Sequence, residues 1–352
     1  MVHVVALYYS YRKKQMGITG KEIAKELNIT PAAVSMALNG RPGVSEETRK
    51  AVLSCAKENG YDFSRLKKSR SLGDTAFIIY RRQGAVVSDT PFFSELFDGV
   101  EGGLREAGYR TRIFYIDRDE APELVLADII YSGVSGIILL GTEMQEEDFA
   151  IFSDVQVPLV LLDVYFDKGG LDSVVINNNQ GAYLATDYLI RKTRVQPGYL
   201  HSSYPIANFN ERQDGFFRAV RAHGMPTDEC IVHRLSPSTD GALSDMRSIL
   251  KKGGRLAKAY FADNDLIAIG AIRALKEAGY DVPGDISVIG FDDIEPASYL
   301  TPALTTVHVP KKEMGQVAAR RLVDLLNRTS TSPLKIEVGT RLVRRKSVQT
   351  YC

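Results

Sequence analysis

The chain is poor in the residues and motifs that build metal centres and covalent catalysis. Cysteine occurs three times in 352 residues, at Cys55, Cys230 and Cys352, with no CxxC pair. That spacing signals neither a disulfide framework nor a thiolate zinc site, and it suits a reducing cytoplasm. The five histidines (His3, His201, His223, His233 and His308) are scattered without metal-ligand spacing. No two glycines stand two residues apart, so GxGxxG is absent, and neither GxxxxGK[ST] nor GxSxG occurs. No catalytic residue, metal or cofactor is therefore expected. No apolar run approaches the roughly 18 residues that a bilayer span needs. The N-terminal MVHVVALYYSYRKK lacks a basic n-region and a small-residue cleavage site, so it reads as neither signal nor anchor.

What is present is an ordinary globular composition, 44% hydrophobic and 25% charged, in a chain long enough for two or three domains. The charge is uneven. Residues 1–74 hold 13 Lys and Arg against 7 Asp and Glu, and the remainder holds 31 against 36. A basic head on an acidic body is the asymmetry of a nucleic-acid-binding module joined to a separate domain, although a solvated basic face gives the same count.

After Gly73, short apolar runs alternate with amphipathic helical stretches. TAFIIY (75–80), GIILLG (136–141), PLVLLD (158–163), DSVVIN (172–177), KAYFAD and ISVIGFDD read as strands. FFSELFDGVEGGLREAGY (92–109) and NQGAYLATDYLIRK (179–192) read as helices between them. Such alternation implies parallel sheets covered on both faces. More than ten units in about 280 residues are too many for one open sheet. They predict two doubly wound lobes with a cleft at the carboxyl ends of the strands.

Upstream, ITGKEIAKELNITPAAVSMALNGRPGVSEETR (18–49) predicts three short helices. Thr19 with Glu22 makes a capping box, and Asn28 suits a left-handed turn. Thr30 caps a helix with Pro31 at its first position, and Ser45 with Thr48 opens the third. Ile23, Leu27, Val34, Leu38, Val52 and Leu53 supply a small core. An ordinary helical hairpin has the same pattern, but the N-terminal position and the basic charge favour a helix-turn-helix.

Taken in order, KEIAKELNITPAAVSMALNGRPGVSEETRKAV, TPFFSELFDGVEGGLREAGY, VPLVLLD, DSVVINNNQGAYLATDYLI, ERQDGFFRAV, ADNDLIAIGAIRALKEAGYDVPGDISVIGFDDI and YLTPALTTVHVP resemble the LacI/GalR family of bacterial transcription regulators. The resemblance implies an α/β protein with a helix-turn-helix DNA-binding domain over 16–62, a hinge over 63–74 and an effector-binding and dimerisation domain over 75–352. The last would be two-lobed, as in periplasmic sugar-binding proteins, with lobe 1 near 75–175 and 306–335 and lobe 2 near 176–305 and 336–352. It further implies a cytoplasmic repressor that is no enzyme and has no membrane partner. That repressor would be a homodimer, with a tetramer left open. It would bind a double-stranded DNA operator and be switched by a small effector, a carbohydrate.

Carried across by position, Thr19, Thr30, Ser35, Asn39, Ser45 and Thr48 match contacts to the phosphate backbone, which their hydroxyls and amide suit. Pro31, Ala32 and Met36 fall where base edges are read. Phe92 or Phe93, Asp163, Asn208, Arg212, Asn264 and Asp292 match effector contacts, while Asp265 and Asp293 read as helix caps or interlobe partners. The chemistry agrees: carboxylates and amides exchange hydrogen bonds with vicinal hydroxyls, and the Arg fork bridges two oxygens. An aromatic face suits the apolar C–H side of a sugar ring.

The head departs from the family pattern. Ala32 and Met36 cannot make the bidentate hydrogen bonds that discriminate bases, so direct readout is expected to be weak and apolar. Specificity would then lean on half-site spacing and DNA shape. In the hinge, YDFSRLKKSRSLGD places Phe63, Ser64, Lys67 and Arg70 where the family has Pro-Asn, Ala and a wedging Leu. Lys67 and Arg70 are expected to reach the minor groove electrostatically, with Leu66 or Leu72 as substitute wedges. A flexible basic linker fits equally well. Residues 1–15 precede the pattern and are expected to be leader before a start at Met16. The competing reading is a cytosolic carbohydrate-binding or sugar-modifying protein with a non-functional head.

Overall fold

Side-chain caps start each of the first three helices. The structure, a computed structural model, describes residues 18–39, 43–61, 63, 71–87, 90–168, 170–329 and 332–350. The expectations for residues 1–15, Ser64, Leu66, Lys67 and Arg70 lie outside them. Helix α1 (Gly20–Glu26) opens on the expected capping box: Glu22 N donates to Thr19 Oγ1 at 3.4 Å, and Thr19 N donates to Glu22 Oε2 at 2.8 Å. Asn28 turns the chain at φ 51°, and Ala33 N donates to Thr30 Oγ1 at 3.1 Å to start α2 (Pro31–Leu38). Ser45 caps α3 (Glu46–Glu58) through Thr48 N at 3.2 Å.

The core of this unit holds Ile23, Val34, Ala37, Leu38, Val52, Cys55 and Ala56. Leu53, expected there, is 39% exposed. Val52, Cys55 and Ala56 form the inward stripe, and Leu53 lies about 100° round the helix from Val52. Contacts divide the chain between Leu72 and Gly73 into this unit and a larger body.

The body begins with β1 (Asp74–Arg81), α4 (Pro91–Glu106), β2 (Arg110–Asp117), α5 (Pro122–Tyr131), β3 (Ile137–Leu140), β4 (Leu159–Leu162) and β5 (Asp172–Ile176). It continues through α6 (Asn178–Thr193), β6 (Gly198–Ser202), α7 (Ala207–Ala222), β7 (Val232–Leu235), α8 (Thr239–Lys251), β8 (Ala259–Ala262), α9 (Asp265–Glu277), β9 (Ser287–Ile289) and α10 (Glu295–Tyr299). It closes with β10 (Thr306–His308), α11 (Lys311–Leu326), β11 (Lys335–Val338) and β12 (Arg341–Val343).

One sheet runs β11-β5-β4-β3-β1-β2 and the other β7-β6-β8-β9. All neighbours within each are parallel. Central strands β3 and β4 are wholly buried because helices and turns cover both faces. That is why they read as unbroken apolar runs.

Two segments lie differently from the sequence reading. β10 pairs antiparallel with β12, and bridges at Thr305 and His308 tie it to the end of the second sheet, so the chain stays with that lobe past residue 306. β11 pairs with β5 in the first sheet, so the final passage to the second lobe follows residue 338. Only Gly339 and Thr340 separate β11 from β12, and no change of composition marks which sheet each strand joins.

Helices α4 and α11 approach closely at glycines. A Cβ on Gly99 would lie 2.0 Å from Lys312 O, and one on Gly315 would lie 2.1 Å from Leu96 O. This contact fixes Phe92, in the first turn of α4, beside Lys311, which opens α11. Among the described residues no helix is long and apolar enough to cross a membrane, and no cluster of His, Cys, Asp and Glu could hold a metal ion.

Candidate ligand cleft and nucleic-acid interface

Strand ends of both lobes converge on one small cavity. It is lined by Phe92 and Phe93 from α4, Asp163 after β4, and Asn208 and Arg212 from α7. Asn264 after β8 and Asp292 after β9 complete it, so all seven residues singled out from the sequence meet there. The cavity volume is about 30 Å³, room for a couple of waters. A ring-sized ligand does not fit this volume as it stands.

Arg212 organises the polar side. It is buried, and its guanidinium carbon lies 3.8 Å from the centroid of the Phe291 ring. Nε donates to Asn178 Oδ1 at 2.9 Å and Nη1 to Asp263 O at 2.5 Å. Nη2 stands 3.2 Å from Asp292 Oδ1. The fork is thus held in one orientation before any ligand arrives. Burial pushes the Asp292 carboxyl above the usual carboxylate range, while Arg212 and Lys311 pull it back.

Asp163 faces Arg212 from the other lobe. Thr142 Oγ1 donates to its Oδ2 at 2.7 Å, whereas its Oδ1 is buried without a hydrogen bond. Burial pushes this carboxyl up to about 6, against the favourable pull of Thr142 and Arg212. A hydroxyl donor placed in the cavity would satisfy the orphaned oxygen. Asp163 at φ 62° and Asp292 at φ 104° both sit in left-handed backbone, a strain concentrated at the cleft. Asn208 Nδ2 reaches Asp163 O at 3.5 Å across the lobes.

The neighbouring acids divide their work differently from the sequence reading. Asn264, not Asp265, caps α9, with Ile267 N donating to its Oδ1 at 2.9 Å and its Nδ2 left for a ligand. Asp265 instead accepts from Thr306 Oγ1 at 2.5 Å and Ile294 N at 3.0 Å. Asp293 accepts from Arg345 Nη2 at 2.6 Å and pairs with His308 Nδ1 at 2.8 Å. Of the two phenylalanines, Phe92 is buried in the first-lobe core and Phe93 packs edge-on against it at 5.1 Å. Sequence reasoning missed Thr142 and Asn178, since a single Thr or Asn after an apolar strand carries no signal of its own.

In the head, the hydroxyls expected at phosphates are largely engaged as caps. Thr30 Oγ1 only accepts there, which leaves its proton for a phosphate oxygen. Thr19 Oγ1 spends its proton on Glu22 Oε2 at 2.8 Å. Ser45 and Thr48 share a bond at 2.9 Å. Asn39 Nδ2 turns back to Ser35 O at 2.8 Å. Pro31, Ala32 and Ser35 are exposed on α2, but Met36 is half-buried. A Cβ on Gly43, at φ 116°, would lie 2.9 Å from Met36 Sδ, so the thioether rests on the loop after α2.

Comparison with known proteins agrees with both halves. The family model "Bacterial regulatory proteins, lacI family" matches residues 19–63, and "Periplasmic binding protein-like domain" matches 187–348. The HTH-type transcriptional repressor PurR of Yersinia pestis bv. Antiqua is 31% identical over 336 residues, 94% of this chain and 96% of that protein. The solved complex of the transcriptional regulator CelR with cellobiose is 27% identical with a TM-score of 0.71, covering 94% of this chain and 99% of that one. A LacI family regulator from Enterococcus faecium with bound ribose is 27% identical with a TM-score of 0.69, covering 79% and 100%.

Proposed function

Because this chain belongs to the lacI family of bacterial regulatory proteins, we propose that it is a cytoplasmic repressor whose hold on operator DNA is switched by a carbohydrate bound between its two lobes. The observation that carries the effector reading is the convergence of Asp163, Arg212 and Asp292 from both lobes on one cavity, with an orphaned carboxylate oxygen among them. Two carboxylates around one fixed guanidinium favour a neutral, hydroxyl-rich ligand over an anion. The CelR and Enterococcus relatives are described with cellobiose and ribose.

The reading includes a homodimer. Edge strand β2 exposes Ile113 at 45% and Tyr115 at 52%, and both line a groove with Phe93 and Phe97 of α4. A second copy would cover that apolar face. An effector that prefers one lobe arrangement shifts the dimer between DNA-competent and incompetent states by its differential affinity.

Binding of the purified chain to DNA upstream of its own gene, titrated with salt and then with sugars, tests this. The expected result is a steep negative salt slope and a sugar-dependent change in affinity. Salt-insensitive or absent DNA binding would leave a carbohydrate-binding protein with an idle head.

A further inference from the structure

The cleft does not end at the small cavity. On the first lobe the strand order carries the line of strand ends from β4 through β3 and β1 to β2. Beyond Asp163 and Thr142 come Gln145, Arg82 and Arg118. On the second lobe the line from Asp292 and Asn264 continues to Ser203, Tyr204 and Pro205 after β6. These outer residues line a second, larger cavity of about 540 Å³, open to solvent. Gln145 Nε2 donates to Pro205 O at 3.1 Å and bridges the two lobes at this point.

Three properties describe what this outer compartment takes. Its charges are already matched: Arg82 pairs with Glu147 at 2.7 Å and Asp148 at 3.3 Å, and Arg118 pairs with Asp148 at 3.2 Å. A phosphate or carboxylate would have to displace those partners, whereas a neutral polyol would not. One wall is rigid. The buried Glu143 carboxylate accepts from Arg82, Gln83 and Gly84 N on Oε2 and from Val86 and Val87 N on Oε1, at 2.7 to 3.2 Å. Lastly, the Tyr204 hydroxyl lies there beside the Glu143 carboxylate, whose oxygens already accept five backbone N–H groups.

From strand β4 to β1 is two strand spacings, about 10 Å, more than one sugar ring spans. We infer that the effector is a neutral disaccharide or longer glycan, with one ring in the inner cavity and the next in the outer compartment against Gln83, Gln145, Ser203 and Tyr204. This rests on the carbohydrate reading above and specifies the length of the ligand.

Calorimetric titration of the full-length protein with matched ladders tests it: glucose, cellobiose and cellotriose; glucose, maltose and maltotriose; xylose, xylobiose and xylotriose. In the ladder that binds, the disaccharide is expected to bind about tenfold or more tightly than the monosaccharide. Tyr204→Phe and Gln83→Ala are expected to erase most of that advantage while leaving monosaccharide affinity within about twofold, since neither touches the inner cavity. Equal affinity for monosaccharide and disaccharide overturns the proposal, as does disaccharide affinity unmoved by both variants. If none of these sugars binds while DNA binding responds to a different small molecule, the carbohydrate reading itself fails and the outer subsite fails with it.

Discussion

Arg212 sits over the Phe291 ring, its guanidinium carbon 3.8 Å from the ring centroid, and the same group spans Asn178, Asp263 O and Asp292. The stack and the three polar partners leave the fork one orientation. It is therefore both a ligand-facing group and a structural member of the second lobe.

That dual role separates two substitutions. Arg212→Ala leaves Asp292 buried without its guanidinium partner, a loss of about 3–5 kcal/mol by comparison with broken buried pairs. Its melting temperature should fall along with its effector response. Arg212→Lys keeps a charge but cannot serve three acceptors and a stack at once. It should fold, hold operator DNA within about twofold of the parent, and lose at least about tenfold in effector affinity. Fluorescence anisotropy on labelled operator, with and without effector, distinguishes the two.

Asp163 makes the cleft sensitive to pH. The unfolded chain releases this proton near the usual 3.8 and the folded protein near 6, so between those values the folded state holds more protons and stability falls as pH rises. Above about 6 the full cost applies, about 3 kcal/mol. Asp163→Asn should thus raise the melting temperature of the ligand-free protein at pH 7.5, and by clearly less at pH 4.5, where only about a third of that cost applies.

A ligand hydroxyl donating to Asp163 Oδ1 stabilises the charged form. Effector affinity of the parent should therefore rise as pH climbs through about 6, with proton release on binding. Titrations in two buffers of different ionisation heat measure that release directly. No difference between the buffers near pH 6 would mean that the effector does not engage this carboxylate.

The head should read bases weakly. With Ala32 exposed and Met36 drawn onto Gly43, single base changes facing α2 should cost less than about 2 kcal/mol each, below the upper part of the usual mismatch range. Changing the half-site spacing by one base pair should cost more than any of them. Thr30→Ala should cost about 1 kcal/mol of helix capping and weaken all operator sequences alike.

The glycine contact between α4 and α11, which itself lines neither cavity, gives a stability test. Gly99→Ala places a methyl 2.0 Å from Lys312 O, so the helices must separate. Its melting temperature should drop by several degrees or more, whereas Gly102→Ala, with nothing within 4 Å, should be neutral or slightly stabilising.

Much of this protein is local and therefore legible in the chain. Caps at Thr19, Thr30 and Ser45 are decided within four residues, and the apolar runs IILL and LVLL declare strands buried on both faces. Asp163, Asn264 and Asp292 could be placed at the cleft because each follows a strand, and strand ends in parallel sheets share one side. Phe92, Phe93, Asn208 and Arg212 lie in helices and were named by their match to the family. What the chain could not announce is long-range. Whether β11 and β12 join the first or the second lobe depends on pairings across more than 150 residues with β5 and across 33 or more with β10. The hydrogen bond of Thr142 to Asp163, the hold of Glu143 on five amides, and the turning of Met36 onto Gly43 are settled by packing. They arise only when separate segments compete for the same donors and the same space, and tertiary structure alone decides that competition.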